Sequence, residues 1–359
     1  MRVSTLTQIA FSKFFNLQTV VQNCLFIDRN NYEDIEMSKD IVIQASDLTK
    51  FYVEILAVDH INFEVKRGEI FGFLGPNGAG KTTTIRMLTG LSKPTDGKAT
   101  VLGFDINSEI VEAKRHIGVV PEISNLYDEL SAMDNLLFMA QLYGVPRIQR
   151  RERAEELLKT FGLYARKDSP FRTFSHGMKR ALTIAAALIH NPEILFLDEP
   201  TVGLDVVAAR SLRNLVSNLR QQGITIFLTT HYLEEADLLC DRVAILVTGQ
   251  IKKIDPPWVL KAAAEEESVI EFSFKKEISS LMEELSNKLH GVKIVVVDHN
   301  KVRIYGGTPT EVYDNVFRFS KDKGVEIQLV NSIKPSLEDA FIKITGLSPI
   351  VMAIEKGGR

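Results

Sequence analysis

The sequence predicts an α/β fold in two unequal domains, and three observations support this prediction. The chain has 359 residues, which is enough for two domains of ordinary size. From Ile41 to about Ile254, short apolar runs alternate with stretches of helical periodicity, as in folds whose strands are mainly parallel. The pair Pro256-Pro257 is expected to break any regular element, and further strand and helix patterns follow it.

Composition and charge limit the classes of protein to which this chain can belong. Hydrophobic residues make up 45% of the chain and charged residues 25%, the ordinary balance of a globular protein. The 43 basic and 46 acidic side chains argue against a general nucleic-acid binder, which is usually basic. Cys24 and Cys240 are interpreted as buried small hydrophobic residues in a reducing compartment, because they lack metal-ligand spacing. No apolar run approaches the ~18 residues that a membrane-spanning helix needs, so a partner is expected to supply any membrane spans.

The first 36 residues differ from the rest of the chain. Apolar side chains between Leu6 and Leu25 recur at three- and four-residue steps, and no acidic residue precedes Asp28. A targeting peptide would fit this pattern, although the content of arginine is low. We favour an extension outside the fold or a mis-called start, because Met37 opens a plausible globular domain.

The first domain, residues 37–256, is expected to contain buried strands and a helical subdomain at about 123–174. In that subdomain strand-like runs vanish and helical patterns such as 133–143 and 151–161 replace them. Ser131 followed by Asp134 predicts a helix start of the capping-box kind. The predicted strands are Ile70–Leu74, Ile194–Leu197, Ile224–Leu228 and Val243–Val247.

Residues 257–267 are expected to form a linker, and residues 268–359 a small α+β domain. This second domain contains no cluster of His, Cys or paired carboxylates that suggests chemistry. Its predicted elements are, in order, strand Val269–Phe274, helix Ile278–Leu289, strands Val292–Val297 and Lys301–Tyr305, helix Thr310–Lys321, strand Val325–Val330 and helix Leu337–Ile344.

A phosphate-binding motif lies between a predicted strand and a predicted helix, Lys81–Leu88. The segment Gly75-Pro76-Asn77-Gly78-Ala79-Gly80-Lys81-Thr82 matches the pattern GxxxxGK[ST]. Its glycines permit positive φ angles and let backbone N–H groups face phosphate oxygens at a helix N-terminus. Lys81 is expected to bridge the β- and γ-phosphates of a nucleotide, and the Thr82 hydroxyl is expected to bind Mg²⁺.

A carboxylate pair, Asp198-Glu199, follows a fully apolar predicted strand. A carboxylate at the end of a buried strand suits a contact of Asp198 with Mg²⁺, directly or through water. Glu199 is then expected to accept a proton from the water that attacks the γ-phosphate. Alternatively the pair merely solvates a strand end before Pro200, a weaker reading in a chain that also carries the phosphate motif.

With these motifs in place, the segment Thr173–Lys179 resembles the signature loop of the ATP-binding subunits of ABC transporters, usually written LSGGQ. The resemblance covers about Ile41 to Pro256. It implies a P-loop NTPase fold, the ABC cassette, in which Ser175 and Gly177 contact the γ-phosphate of ATP held by the opposite subunit. A helix N-cap alone would also explain Ser175. His176 and Met178 replace the usual glycine and glutamine of this loop.

Further positions match the family, and one departs from it. Asp205 matches the aspartate that crosses the dimer interface, and His231 matches the switch histidine that contacts the γ-phosphate. Tyr52 resembles the aromatic residue that stacks on adenine, with Phe51 as an adjacent alternative. Glu122 stands where the family usually has a glutamine that links Mg²⁺ to the membrane-coupling region, and an ionised carboxylate cannot donate the hydrogen bonds of an amide.

The resemblance thus implies a complete set of site residues. Those expected to act in catalysis are Glu199, His231 and Lys81. Those expected to bind Mg²⁺ are Thr82, Asp198 and Glu122. Those expected to contact ATP are Tyr52, Gly75, Pro76, Asn77, Gly78, Ala79, Gly80, Lys81, Thr82, Thr83, Glu122, Ser175, Gly177 and Asp205.

The implied function is an ATPase that powers a transporter, resembling the multidrug and polyketide-antibiotic (daunorubicin-type) export branch. Glu122, the variant signature loop and the segment Lys334–Phe341 carry that narrower resemblance. Two ATP-binding subunits, identical or related, are expected to close on ATP and Mg²⁺. The helical subdomain is expected to bind an integral-membrane permease at the cytoplasmic side of the cell membrane, and no nucleic acid is expected.

Two alternative functions fit parts of the sequence. A soluble ABC-type ATPase acting on nucleic acid or ribosomes usually carries long coiled-coil insertions or two tandem cassettes, which the sequence lacks. A catalytically silent nucleotide-binding regulator is the second alternative. The intact Lys81, Asp198, Glu199 and His231 argue against it.

Overall fold

A computed structural model describes residues 40–265, 269–278, 281–289, 291–333 and 336–347. The predicted extension, residues 1–36, lies outside the described residues, and Cys24 lies there too. By contacts the chain divides into two compact units. Among the described residues, unit A comprises residues 40–44, Glu64–Gly68 and Thr100–Ile226, and unit B comprises Ala45–Phe63, Glu69–Ala99 and those from Phe227 to Leu347. The domain boundaries at residues 37, 256 and 268 stay predictions.

A sheet of six strands has the order β10-β9-β3-β8-β7-β6. The pairs β3/β9 and β6/β7 are parallel, and β10 is antiparallel to β9. Strands β3, β7 and β8 are buried along their whole length, which explains their continuous apolar sequences. The four predicted strands are therefore confirmed to within two residues at each end. The strands are β3 (Ile70–Leu74), β6 (Ile117–Val120), β7 (Ile194–Asp198), β8 (Thr225–Thr230), β9 (Arg242–Val247) and β10 (Gln250–Asp255).

A second sheet, of order β2-β1-β4-β5, did not follow from the apolar runs. From Ile61 to Lys66, buried and exposed residues alternate along its strand β2. This alternation is typical of a sheet with one face toward solvent, and it interrupts the apolar runs by which the other strands were recognised. The strands are β1 (Ile41–Tyr52), β2 (Ile55–Lys66), β4 (Asp96–Val101) and β5 (Phe104–Asp105).

Unit A contains helices in the region where strand-like runs are absent from the sequence, and the boundaries of a helical subdomain stay a prediction. Helices α3, α4 and α5 share one apolar core, in which Leu136, Leu158 and Leu182 are fully buried. Ser131 begins α3 as predicted, because its Oγ accepts a hydrogen bond from the backbone N of Asp134 at 3.0 Å. The helices up to the end of the six-stranded sheet are α1 (Lys81–Leu88), α2 (Ile110–Ala113), α3 (Ala132–Leu142), α4 (Arg147–Thr160), α5 (His176–Leu188), α6 (Val206–Gln221) and α7 (Leu233–Leu239).

The C-terminal part of unit B has the predicted order of strands and helices. Its antiparallel sheet has the order β12-β13-β11-β14 and packs on a separate core that includes Phe272, Phe274 and Phe319. The elements are β11 (Val269–Phe274), α9 (Met282–Lys288), β12 (Lys293–Asp298), β13 (Lys301–Tyr305), α10 (Pro309–Lys323), β14 (Ile327–Ile333) and α11 (Leu337–Thr345).

The expectation that Pro256-Pro257 breaks regular structure is wrong at Pro257. Helix α8 (Pro257–Glu265) begins there, inside the predicted linker, and it packs against α11. The first position of a helix tolerates proline, because the N–H that proline lacks has no partner within the helix at that position.

Charged side chains fasten α11 to the C-terminal sheet. Arg303 donates hydrogen bonds to Glu271 at 2.9 Å and to Asp339 at 3.0 Å, and Tyr305 donates to Asp339 at 2.5 Å. Asp339 is fully buried and also caps α11 through Ser336. Burial and the bond to Asp339 raise the pKa of Tyr305 above its usual value. These contacts fix the helix on strand β13 by directional bonds as well as apolar packing.

A half-buried histidine, His190, connects three segments of unit A. The His190 ring stacks on Tyr143 with 3.9 Å between the ring centroids, and its Nε2 donates to the carbonyl O of Ile117 at 2.9 Å. Burial lowers the pKa of His190 to about 4, and the charges of His116 and Arg153 act in the same direction. The neutral ring is therefore the form that the folded protein holds.

We predict that His190 makes the fold sensitive to acid. The unfolded chain takes up a proton at this histidine near pH 6.5 and the folded chain near pH 4, so stability is lost as the pH falls through that window. At pH 5 the loss from this residue is about 2 kcal/mol. His190→Gln should therefore show a smaller drop in thermal midpoint between pH 7.5 and pH 5 than the wild type. The exposed His299→Gln is the control, and an equal drop in all three proteins would contradict the prediction.

Candidate functional site

In unit B the phosphate motif connects the buried strand β3 with helix α1, as predicted. Gly75 N donates to the carbonyl O of Thr230 at 3.3 Å, and Gly249 N donates to that of Ala79 at 3.1 Å. Within the loop, Ala79 N donates to the carbonyl O of Pro76 at 3.1 Å. These bonds hold the loop against the end of β8 and against the turn between β9 and β10.

Two glycines of the loop are required by their surroundings. A Cβ atom on Gly75 would lie 2.1 Å from the carbonyl O of Leu246, and one on Gly80 would lie 2.5 Å from that of Ala57. Gly80 also has a φ of 105°, a conformation that L-residues rarely adopt. A Cβ on Gly78, by contrast, would meet nothing within 4 Å. The loop is therefore packed on one side and open at Gly78, as a cradle for phosphate must be.

The Lys81 side chain folds back onto the phosphate loop. Its Nζ donates to the carbonyl O of Gly75 at 2.6 Å and to that of Pro76 at 3.2 Å, and the side chain is 5% exposed. The ammonium group is thereby held at the loop, where phosphate oxygens would approach.

The three threonines that follow Lys81 differ in their surroundings. Thr84 is fully buried, and its Oγ1 donates to the carbonyl O of Gly80 at 3.0 Å. Thr82 and Thr83 are half-buried in the first turn of α1, next to the open part of the loop. Asn77 is exposed. The hydroxyl positions thus single out Thr82 and Thr83 for contact with a ligand.

His231 and Tyr52 also belong to unit B. His231 directly follows β8, is half-buried, and contacts Tyr232 with ring centroids 4.1 Å apart and the ring planes tilted by 40°. Tyr52 ends β1, is 39% exposed, and lies under the Nζ of Lys50 at 5.1 Å. Phe51 is 44% exposed, so exposure does not distinguish the two candidates for stacking on adenine.

In unit A the carboxylate pair stands at the end of β7. Asp198 is 4% exposed and Glu199 is 6% exposed, so both carboxyl groups are largely withdrawn from water. Glu199 has a φ of 46°, in the left-handed region that a residue with a Cβ seldom occupies. Such backbone strain occurs often at functional sites, because a precise side-chain direction there outweighs its cost.

The signature-like residues and Asp205 cap two helices of unit A. The Ser175 Oγ accepts a hydrogen bond from Met178 N at 3.4 Å, and Asp205 Oδ1 accepts one from Ala208 N at 2.8 Å. A Cβ on Gly177 would lie 3.2 Å from the Cβ of Ala208, so the starts of α5 and α6 are close together. The cap accounts for Ser175 structurally, while Ser175 itself remains exposed at the helix N-terminus.

Sequence reasoning missed Arg180, which the structure connects to this site. Arg180 lies on α5, is 9% exposed, and donates four hydrogen bonds to backbone carbonyls. Two of these acceptors flank Glu199, and the others are Pro121 and Glu122. The Glu122 residue is itself exposed. No spacing in the sequence indicates such a contact, because its acceptors are main-chain atoms.

The donor set suits Mg²⁺ better than a metal held by protein side chains alone. Across the part of the chain that the structure describes, no group of three or more His, Cys, Asp or Glu could hold a metal ion. Mg²⁺ usually takes one or two carboxylates and completes its shell with water and phosphate oxygens. In unit A the buried Asp198 offers such a carboxylate, and in unit B the half-buried Thr82 offers a hydroxyl.

Comparisons with known proteins identify the family. A profile described as ABC transporter matches residues 58–202. The linearmycin resistance ATP-binding protein LnrL of Bacillus subtilis is 34% identical over 85% of this chain and 98% of its own length. The chain belongs to the ATP-binding proteins of ABC transporters. The bacitracin transport ATP-binding protein BcrA of Bacillus licheniformis is 37% identical over 85% of this chain and 97% of its own length.

A solved structure agrees with this ABC assignment. A dimeric ATP-binding cassette in a post-hydrolysis state, bound to ADP and Pi, is 27% identical with a TM-score of 0.55, over 60% of this chain and 98% of that one. The predicted ABC cassette fold is thus confirmed, and the protein is an ATP-hydrolysing subunit of a transporter. Within the described ranges, no helix is long and apolar enough to cross a membrane.

We predict that Gly75→Ala destabilises the protein more than an alanine at a roomy glycine. Because the new Cβ would overlap the carbonyl O of Leu246, backbone must shift, at a cost of about 2–3 kcal/mol. Gly103→Ala is the control, since its Cβ would meet nothing within 4 Å and only its positive φ, worth about 1 kcal/mol, opposes alanine. Denaturant unfolding measures both values, and equal losses would contradict the predicted overlap.

Proposed function

We propose that the protein is the ATP-hydrolysing subunit of an exporter of drug-like or lipid-like molecules. The observation that carries the proposal is the match to LnrL and BcrA over almost their whole length, which extends beyond the cassette into the C-terminal part. Those two proteins are named for linearmycin resistance and for bacitracin transport. The chain supplies the energy of transport, and a separate permease supplies the path for the cargo.

We propose that the phosphate loop binds the triphosphate of ATP. Lys81 and the backbone N–H groups at the N-terminus of α1 place positive charge and donors at the open side of the loop. Thr82 and Thr83 lie in the first turn of the same helix, within the same unit. Tyr52, with Phe51 as the alternative, stacks on the adenine ring, which the exposure of both rings permits.

Glu199 is proposed as the general base for hydrolysis, and Asp198 of unit A and Thr82 of unit B are each proposed, from their sequence motifs, as ligands of Mg²⁺. When bound, Mg²⁺ neutralises part of the charge that develops on the phosphate oxygens. Glu199 takes the proton of the attacking water, and its burial limits competition from bulk solvent. Glu122 is proposed as a further contact to Mg²⁺, through water, because its carboxylate is exposed at the end of β6.

The remaining site residues are proposed to act across a dimer of two ATP-binding subunits. Ser175 and Gly177 lie at the N-terminus of α5, where a helix dipole and an exposed hydroxyl favour the γ-phosphate of the partner's ATP. Asp205 crosses the interface, and His231 contacts the γ-phosphate. Hydrolysis then removes the ligand that stabilises the closed dimer. The same arrangement is compatible with identical or different subunits.

An apolar surface in unit A supports a membrane partner. Four hydrophobic side chains between the end of β6 and the end of α3 are exposed: Ile123 at 82%, Tyr127 at 53%, Phe138 at 36% and Leu142 at 63%. Among them, Tyr127 and Phe138 are in edge contact with ring centroids 5.2 Å apart, and exposed apolar groups of this kind commonly mark protein interfaces. We propose that this surface docks on the permease, so that the protein works as a peripheral subunit at the membrane. Neither a nucleic-acid ATPase nor a silent regulator is favoured by a specific observation.

We predict that Glu199→Gln abolishes ATP turnover and preserves ATP binding. Removal of a general base lowers turnover by about 100-fold or more, whereas the amide keeps the shape of the side chain. With ATP and Mg²⁺ the variant should accumulate as a dimer on size-exclusion chromatography. Glu193→Gln is the control, because Glu193 is a surface residue of the same unit that pairs with Arg67. Turnover near the wild-type rate in Glu199→Gln would overturn the role of Glu199.

We predict that Ile123→Glu weakens the association with the membrane partner and leaves ATP hydrolysis by the isolated subunit intact. A charge at this exposed apolar position would be desolvated in an interface. Tagged protein is recovered from detergent-solubilised membranes, and a co-purifying multi-span protein is identified and quantified. Ile148→Glu is the control, since Ile148 is an equally apolar residue that is 88% exposed on α4, outside the proposed docking surface. Equal recovery of the partner with both variants would contradict the docking surface.

A further inference from the structure

We infer that Arg180 is a positioning residue for hydrolysis, which sets the direction of the Glu199 side chain and joins it to the helix that begins at Ser175. This inference rests on the proposed role of Glu199. Arg180 Nε donates to the carbonyl O of Pro200 at 2.9 Å, and its second terminal nitrogen (Nη2) donates to that of Asp198 at 2.7 Å. The guanidinium group thus holds the residue before Glu199 and the residue after it.

Glu199 needs such a restraint because of its backbone. Its φ of 46° lies in the left-handed region, from which a residue with a Cβ tends to relax. Rotation about the Glu199 backbone would move the carbonyl groups of its neighbours, and both of them are bonded to one rigid, planar group. The bonds to Arg180 therefore favour the single backbone conformation that directs the carboxylate as observed.

Besides the residues on both sides of Glu199, the Arg180 guanidinium also bonds to the segment that follows β6. The other terminal nitrogen (Nη1) donates to the carbonyl O of Pro121 at 2.5 Å and to that of Glu122 at 3.3 Å. Two neighbours of Arg180 on α5 fasten the chain just beyond. Lys179 pairs with Asp128 at 3.1 Å, and the Thr183 Oγ1 lies 2.8 Å from the Oγ of Ser124. One face of α5 therefore carries both the segment 121–128 and the Glu199 turn.

This arrangement needs an arginine in particular. Arginine has five N–H donors in a fixed plane, whereas lysine has one nitrogen atom at the end of a flexible stem. Lysine at position 180 could keep the charge and part of the packing, yet it could not bond the carbonyl groups of Pro121, Asp198 and Pro200 together. Arg180→Lys should therefore loosen the direction of Glu199 and leave the phosphate loop, in unit B, unchanged.

The test is steady-state ATP hydrolysis by Arg180→Lys, the wild type and a matched control. A misdirected base should lower kcat by about 10- to 100-fold, because displacements near 1 Å cost up to that much, while KM for ATP stays within about twofold. Arg150→Lys is the control: Arg150 lies in the same unit and its Nε donates to the carbonyl O of Val145 at 2.7 Å. Its kcat should match the wild type, and thermal midpoints of the two variants should be similar.

Any other result overturns the inference about Arg180. The pattern of results also shows whether the proposed role of Glu199 fails with it. If Arg180→Lys keeps the wild-type kcat while Glu199→Gln is inactive, the positioning role of Arg180 is rejected and the role of Glu199 as the base stands. Turnover by Glu199→Gln rejects the role of the base and the inference with it. A proportional rise in KM assigns Arg180 to nucleotide binding. If neither Arg180→Lys nor Arg180→Gln folds, the side chain serves stability and is not a positioning residue.

Discussion

The tight packing of the phosphate loop against neighbouring backbone is the constraint on which the site in unit B depends. Gly75 and Gly80 lie so close to the carbonyl groups of Leu246 and Ala57 that no side chain fits at either position. Hydrogen bonds to Thr230 and from Gly249 complete the enclosure. Because the loop cannot move away from these strands, α1 begins at a fixed point, and Lys81 reaches back over a loop of fixed shape.

The site in unit A is organised in a related way, through bonds to main-chain carbonyl groups. Asp198 and Glu199 emerge from a strand that is buried on both faces, while α5 and α6 begin at capping side chains nearby in the same unit. Arg180, on α5, joins that helix to the residues on both sides of Glu199 through bonds to backbone carbonyl groups. Such bonds fix where segments lie without specifying the side chains they carry. This leaves the exposed positions, such as Glu122 and His176, open to variation.

Much of the fold and of the site could be predicted from the sequence, because the buried strands and the phosphate motif each have a pattern within a short stretch of residues. Strand β3 and helix α1 were predicted at their observed bounds, and the elements of the C-terminal part follow in the predicted order. The sheet containing β1 and β2 was missed, since alternating burial leaves no apolar run. Arg180 and the left-handed φ of Glu199 were missed because they depend on contacts between segments distant in the sequence. Helix α8 was missed because proline was read as a breaker where it starts a helix.

The left-handed conformation of Glu199 implies a conflict between thermal stability and ATPase activity. A glutamate there costs of order 1 kcal/mol relative to a residue that adopts this conformation readily, such as glycine or asparagine. Random mutation followed by selection for heat resistance alone would therefore favour the loss of this side chain. The most thermostable form of the cassette is then one that no longer hydrolyses ATP, and the presence of glutamate at this position marks a chain selected for turnover.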